Sequence, residues 1–206
     1  MPWGRWTPGE QQYYSPSALS EHGGMLTITA SQHAAGGMPY TSGAISMPAS
    51  SQFTYGYVEA RLQVPAGRGL WSAFWLLCRT VGVDEEADIM EIIGSKPSEG
   101  NAVLHYEVGG VKGRTLQTYQ QPDFSAGFHT FAVDWEPGEM TWYVDGVRRF
   151  KTTRNIPERP MTVIANLSVG GPTVWPGAPD RYTPFPAQYK IDYIRVYQKL
   201  PVQPKP

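Results

Sequence analysis

From Gln52 to Val64 (QFTYGYVEARLQV) the chain alternates, one residue to each side. A period of two is the signature of a β-strand, whose successive side chains point to opposite faces. Phe53, Tyr55, Tyr57, Glu59 and Arg61 fall on one face. Thr54, Gly56, Val58, Ala60, Leu62 and Val64 fall on the other, which is small and aliphatic and suits a core. The first face suits solvent or a ligand. The same pattern recurs at Gly24–Ala30, Phe128–Trp135, Met140–Val144, Val147–Lys151, Met161–Val169 and Lys190–Gln198. Leu70–Cys78 (LWSAFWLLC) is apolar almost throughout, as expected of a strand buried on both faces.

Turn residues separate these runs. The 206 residues include 22 glycines and 19 prolines, about a fifth of the chain against the usual ~12%. Both break helix interiors, so helical bundles and coiled coils are excluded. Asp145-Gly146 between two strand-like runs predicts a tight hairpin. Many short antiparallel strands imply a β-sandwich or barrel, and pattern alone does not choose between them. The length suits one domain, residues 1–199, followed by a Pro-rich tail at 200–206.

The charge balance narrows the partners. Seventeen Lys and Arg face eighteen Asp and Glu. That is no footprint for nucleic acid or anionic lipid, and no apolar run is long enough for a membrane span. Neither partner is expected, and the chain reads as a monomer. The lone Cys78 excludes an intrachain disulfide and reads as a buried, inert thiol. The N-terminus (MPWGRWTPGEQ) shows no signal peptide pattern. Seven Trp and twelve Tyr provide flat apolar faces suited to a sugar ring, a base or a partner surface.

The densest chemistry lies in Val83–Gly94 (VDEEADIMEIIG). As a helix, this segment would place Asp88 and Glu91 on an acidic, solvated face with Gly94 as C-cap. As a metal cluster it lacks a His at ligand spacing. As a strand it places Glu86 and Asp88 on one face, and a one-residue bulge around Ile89-Met90 would bring Glu91 to the same face. Ala87, an Ile or Met, and Ile92 would then pack behind. Three neighbouring carboxyls repel, so at least one keeps its proton near neutral pH. A two-carboxylate glycosidase needs that inequality: one group attacks the anomeric carbon and the other protonates the leaving oxygen.

Glu86-Ala87-Asp88-Ile89-Met90-Glu91 resembles the bulged E-x-D-x-x-E signature of glycoside hydrolase family 16, in its laminarinase-like form. Five further segments resemble the family in order: Tyr55–Leu62, Gly69–Leu77, His129–Trp135 with Trp142–Gly146, Asn166–Gly171 and Ile191–Tyr197. The likeness spans roughly residues 10–198. It implies an all-β, concanavalin-like sandwich (a jelly roll) of two curved antiparallel sheets, with a concave cleft for polysaccharide. Glu86 matches the nucleophile, Asp88 the assisting carboxylate and Glu91 the general acid/base of a retaining mechanism.

The resemblance also bears on the surroundings. Trp71 and Trp75, four apart on a strand, would stack on sugars. Arg61, His105, Asn166 and Trp175 are candidate substrate contacts, and Tyr13 and Tyr14 resemble a cleft-edge segment. Gly24 and Asp192 match two positions of a structural calcium site; the chemistry itself needs no cofactor. Relatives usually begin with an additional strand of F-x-D-x-F type, and this chain begins past it. The implied activity is endo-hydrolysis of β-1,3 or mixed β-1,3-1,4 glucans, outside the cell or in the periplasm, where such polymers lie. A galactan or exopolysaccharide hydrolase is the alternative enzyme, and a non-catalytic lectin-like sandwich the alternative class.

Overall fold

The computed structural model describes residues 3–80, 82–83, 85–120 and 123–198. The strands, in chain order, are β1 (Gln12–Tyr14), β2 (Leu19–His22), β3 (Met25–Ala30), β4 (Tyr40–Ser42), β5 (Ala44–Ser46), β6 (Gly56–Gln63), β7 (Leu70–Cys78) and β8 (Glu86–Ile93). They continue with β9 (Glu99–Val108), β10 (Val111–Gln120), β11 (His129–Glu136), β12 (Glu139–Val144), β13 (Val147–Thr152), β14 (Met161–Val169) and β15 (Ala187–Tyr197). Two short 3-10 turns are the only helical elements among the described residues, so none of them holds a helix able to cross a membrane.

Two antiparallel sheets make the sandwich. One has the order β10-β9-β8-β7-β14-β5, the other β13-β12-β11-β6-β15-β3-β2, and a parallel pair β1-β4 lies apart. Val58, Ala60 and Leu62 of β6 face inward, as their alternation predicts, and meet Phe74 and Leu76 of β7 and Val163, Ala165 and Leu167 of β14 in one core. A fully buried aliphatic or aromatic side chain contributes about 1.5–3 kcal/mol relative to exposure. The inward stripes are therefore enough to set which face of each strand turns inside. Cys78 is buried there as a free thiol.

The hairpins follow their turn residues. Asp145 (φ 51°) and Gly146 (φ 73°) both take positive φ between β12 and β13, the geometry of the tight turn that matches strand twist.

Several sequence expectations change. Val83–Gly94 is not a helix, because β8 is paired on both sides. Strand β6 begins at Gly56 rather than Gln52, since Tyr55 turns to φ 63° and breaks the extended run. Phe53 is consequently buried in the core instead of sharing the outer face of Tyr57. One face of β7 is core, whereas the other forms the floor of a cleft. The hairpin of β9 and β10 carried no full alternating signature, for β10 is mostly exposed on both faces. The tail at 200–206 lies outside the described residues.

Candidate active site

The extra residue of β8 arranges the carboxyls. Against β7, Met90 pairs with Phe74 and Asp88 with Trp75, leaving Ile89 without a partner. Against β9, Asp88 pairs with Val103 and Glu91 with Asn101, so Ile89 and Met90 together oppose Ala102. This is a β-bulge, and it inverts the alternation for the rest of the strand. Ala87, Ile89, Met90 and Ile92 all enter the core. Glu86, Asp88 and Glu91 all line the cleft on the other side.

Register then decides which neighbours join them. Leu77, Glu86, His105 and Arg114 form one cross-strand row; Trp75, Asp88, Val103 and Leu116 form the next; Ala73, Glu91, Asn101 and Thr118 form the third. His105 Nε2 lies 3.4 Å from Asp88 Oδ2 and 3.6 Å from Glu86 Oε1. A cavity of about 470 Å³ opens on one side of the carboxyls, between Trp6, Glu10, Tyr14, Trp75 and Asn166. On the other side Trp71, His105, Arg114, Leu116 and Trp175 line a second hollow that shares Glu86 and Glu91. The carboxyls thus sit midway along a groove.

Burial divides the labour among them. The Glu86 side chain is 29% exposed, whereas that of Asp88 is 5% exposed. Burial, with the nearby charges of Asp88 and Glu86, pushes the Glu91 carboxyl well above the ordinary range. His105 and the Trp71 indole oppose that shift. The Trp71 Nε1 is close enough to favour the Glu91 carboxylate, yet it makes no hydrogen bond of ordinary geometry. Asp88 is also raised, by burial and then by Glu86. Desolvation disfavours the charged form, and like charges add to it. A buried Glu91, its carboxyl raised, thus lies beside a more accessible Glu86 carboxyl, an inequality that suits general-acid and nucleophilic roles.

The family model of glycosyl hydrolases family 16 matches residues 8–195. The chain belongs to that family. An endo-1,3-1,4-beta-glycanase, ExsH, of Rhizobium meliloti is 34% identical over 92% of this chain and 43% of its own length. A beta-glucanase of Rhodothermus marinus is 32% identical over 94% of this chain and 76% of its own. This family 16 chain therefore spans less than half of the first relative and about three-quarters of the second. Among solved structures, an endo-beta-1,3-glucanase from Pyrococcus furiosus superimposes with a TM-score of 0.82 at 34% identity, over 92% of this chain and 80% of that one.

Within this family 16 fold, Trp71, Trp75, His105 and Trp175 reach the cleft. Trp175 is half exposed and meets Trp71 edge to face, with centroids 5.6 Å apart. Asn166 also lines the cleft and anchors a polar network. Its Oδ1 accepts from Trp75 Nε1 at 2.8 Å, and its Nδ2 donates to Tyr14 Oη and Ser168 Oγ, both at 3.1 Å. Its Oδ1 orients the Trp75 indole at the cleft. Tyr14 joins this network while Tyr13 turns away, its ring against Gly36.

Arg61 is a correction. It lies on the outer face of the seven-stranded sheet, outside the cleft, where Nη1 donates to Asp192 Oδ2 at 2.6 Å and the guanidinium sits over Phe128. Alternation puts it opposite the core, and the far side of that sheet is solvent. The same pair bears on Gly24 and Asp192. The Asp192 carboxylate takes the Arg61 guanidinium as its partner. Gly24 lies just before β3, the strand that pairs with the strand carrying Asp192.

The sequence reasoning missed Trp6, Glu10, Ser168, Arg114 and Leu116. Trp6 stands in a Gly/Pro-rich segment (WGRWTPG), as Trp175 does (GGPTVWPGAP), where an aromatic has more reason to meet a ligand than a core. Ser168 alternates with Asn166 along β14. Glu10 accepts from Gln12 Nε2 at 2.7 Å, and Gln12 Oε1 accepts from the Val169 backbone N–H. Only that fold-back of the N-terminal segment brings Glu10 to the cleft.

Proposed function

We propose that this chain is an endo-acting, retaining hydrolase of β-1,3 or mixed β-1,3-1,4 glucans. One observation carries the reading: the bulge of β8 sets an accessible Glu86 and a buried Glu91, whose carboxyl burial raises, on one cleft face, with Asp88 between them. In the first step a Glu86 oxygen bonds to the anomeric carbon as the glycosidic C–O bond breaks. Glu91 gives its proton to the departing oxygen. In the second, Glu91 takes a proton from water, the hydroxide bonds to the anomeric carbon, and the Glu86 ester is released. Asp88, 3% exposed and beside both, raises the cost of a second charge and so helps Glu91 keep its proton.

Groove on both sides of the carboxyls supports attack within a polymer. Trp71, Trp75 and Trp175 supply aromatic faces for sugar rings. The names of the relatives support a β-glucan, and because such polymers lie outside cells the reading includes action there. The test is a panel of laminarin, lichenan, agarose and carrageenan, with products sized and their anomeric form read by NMR. Short oligosaccharides of retained configuration from laminarin or lichenan are expected. No release from either glucan rejects the substrate, and inverted products reject the covalent route.

A further inference from the structure

Glu86, Asp88 and His105 each offer a ligand atom, and these atoms all lie within 4.8 Å of one another. The two His105 distances, 3.4 and 3.6 Å, are longer than the 2.7–3.2 Å of ordinary N–H···O bonds. They are close to the edge of a tetrahedron with arms of 2.0–2.1 Å, roughly 3.4 Å, the shape Zn²⁺ imposes on His and carboxylate ligands. Asp88 points the same way. Its side chain is 5% exposed, and its Oδ2, the atom facing His105, is buried without a hydrogen bond. A buried acceptor left unbonded is costly, and a cation held between Oδ2, Oε1 and Nε2 would satisfy it.

We propose that Glu86, Asp88 and His105 form a tetrahedral site for a transition-metal cation, Zn²⁺, and that its binding shuts the cleft down. Two carboxylates and an imidazole suit Zn²⁺ rather than Mg²⁺ or Ca²⁺, which take oxygen ligands. Entry is open, since Glu86 and His105 are about a third exposed on the cleft side. The fourth position faces the groove and takes water. The cation ties up a Glu86 oxygen and cancels the charge of the pair. The inhibitory part rests on the proposed role of Glu86 as nucleophile; the binding part does not.

The experiment is competition for Zn²⁺ between the purified protein and a chromophoric chelator near pH 7, with Mg²⁺ as control, for wild type and for His105→Gln. Co²⁺ is used in parallel for its tetrahedral absorption. Stoichiometric Zn²⁺ binding is expected in wild type. Loss of a ligand should weaken it at least as much as loss of an outer partner, roughly ten-fold or more, and remove the tetrahedral Co²⁺ bands. Unchanged binding in His105→Gln, or no binding in wild type, overturns the site. Laminarin hydrolysis is read separately. Inhibition by Zn²⁺ that chelation reverses supports the block, and undiminished hydrolysis by the loaded protein overturns it. A protein that binds Zn²⁺ as expected but cleaves no glucan keeps the site and rejects the glucanase reading.

Discussion

The Trp142 indole N–H donates to the backbone carbonyl of Asp88 at 2.9 Å, from the opposite sheet and across the core. The bulge disrupts the ladder of β8 locally, and this bond satisfies a carbonyl at its edge. Trp142 is 1% exposed, so no water competes. Trp142→Phe should leave that carbonyl buried and unpaired. A stability loss of about 1–3 kcal/mol is expected, read by denaturant unfolding. The same variant should lower kcat more than it raises KM, because the carboxyl row loses its anchor.

Glu86→Gln and Glu91→Gln should each abolish polysaccharide hydrolysis while leaving circular dichroism unchanged. They should differ on an aryl glycoside whose leaving group needs no proton. There Glu91→Gln should still form the glycosyl-enzyme and release a burst of phenol, whereas Glu86→Gln should not. Full reducing-sugar release by either variant would sink the assignment.

The alkaline limb of kcat/KM should belong to Glu91, whose carboxyl is raised first by burial and then by Asp88 and Glu86. The Trp71 indole works against that shift. Removing it should raise the Glu91 pKa further, since a nearby indole N–H favours the charged carboxylate even without an ordinary hydrogen bond. Trp71→Phe should therefore move the limb to higher pH. A limb that stays put, or moves down, would refute the link.

Glu10 offers a stability test. Its carboxyl is raised above 4.5, chiefly by burial and against the bond from Gln12. A raised carboxyl binds more protons folded than unfolded, so stability falls as pH climbs from about 4.5 through the folded value. Glu10→Gln removes that loss. The melting temperature of the variant minus that of wild type should grow over this window and then level off. A flat difference would mean that Glu10 is not perturbed.

Arg61→Met should leave kcat/KM on laminarin unchanged. The Arg61–Asp192 pair is about 40% exposed on both sides, and such pairs contribute about 0–1 kcal/mol. A large rise in KM would return Arg61 to the cleft.

The alternation of β6, β7 and β14 was readable because one-sided burial in a sandwich demands period two. The bulge was readable too, since the spacing of Glu86, Asp88 and Glu91 puts all three on one face only with an extra residue near Ile89-Met90. The sequence by itself therefore determined the inner faces of β6, β7 and β14 and allowed the carboxyl row. The pairing of β8 on both sides excluded the helix, and β9 and β10 carried no such pattern. Alternation separates two faces but does not say what covers the outer one. Arg61 and Trp75 both point away from the core, yet one meets solvent and Asp192 while the other meets the cleft. The sheets to which β6 and β7 belong decided that. Within Val83–Gly94 no histidine stands at ligand spacing, but β9 lays His105 directly opposite Glu86. Strand register and the fold-back that delivers Glu10 are long-range pairings. They are set by packing between segments far apart in the chain, and local spacing carries no record of them.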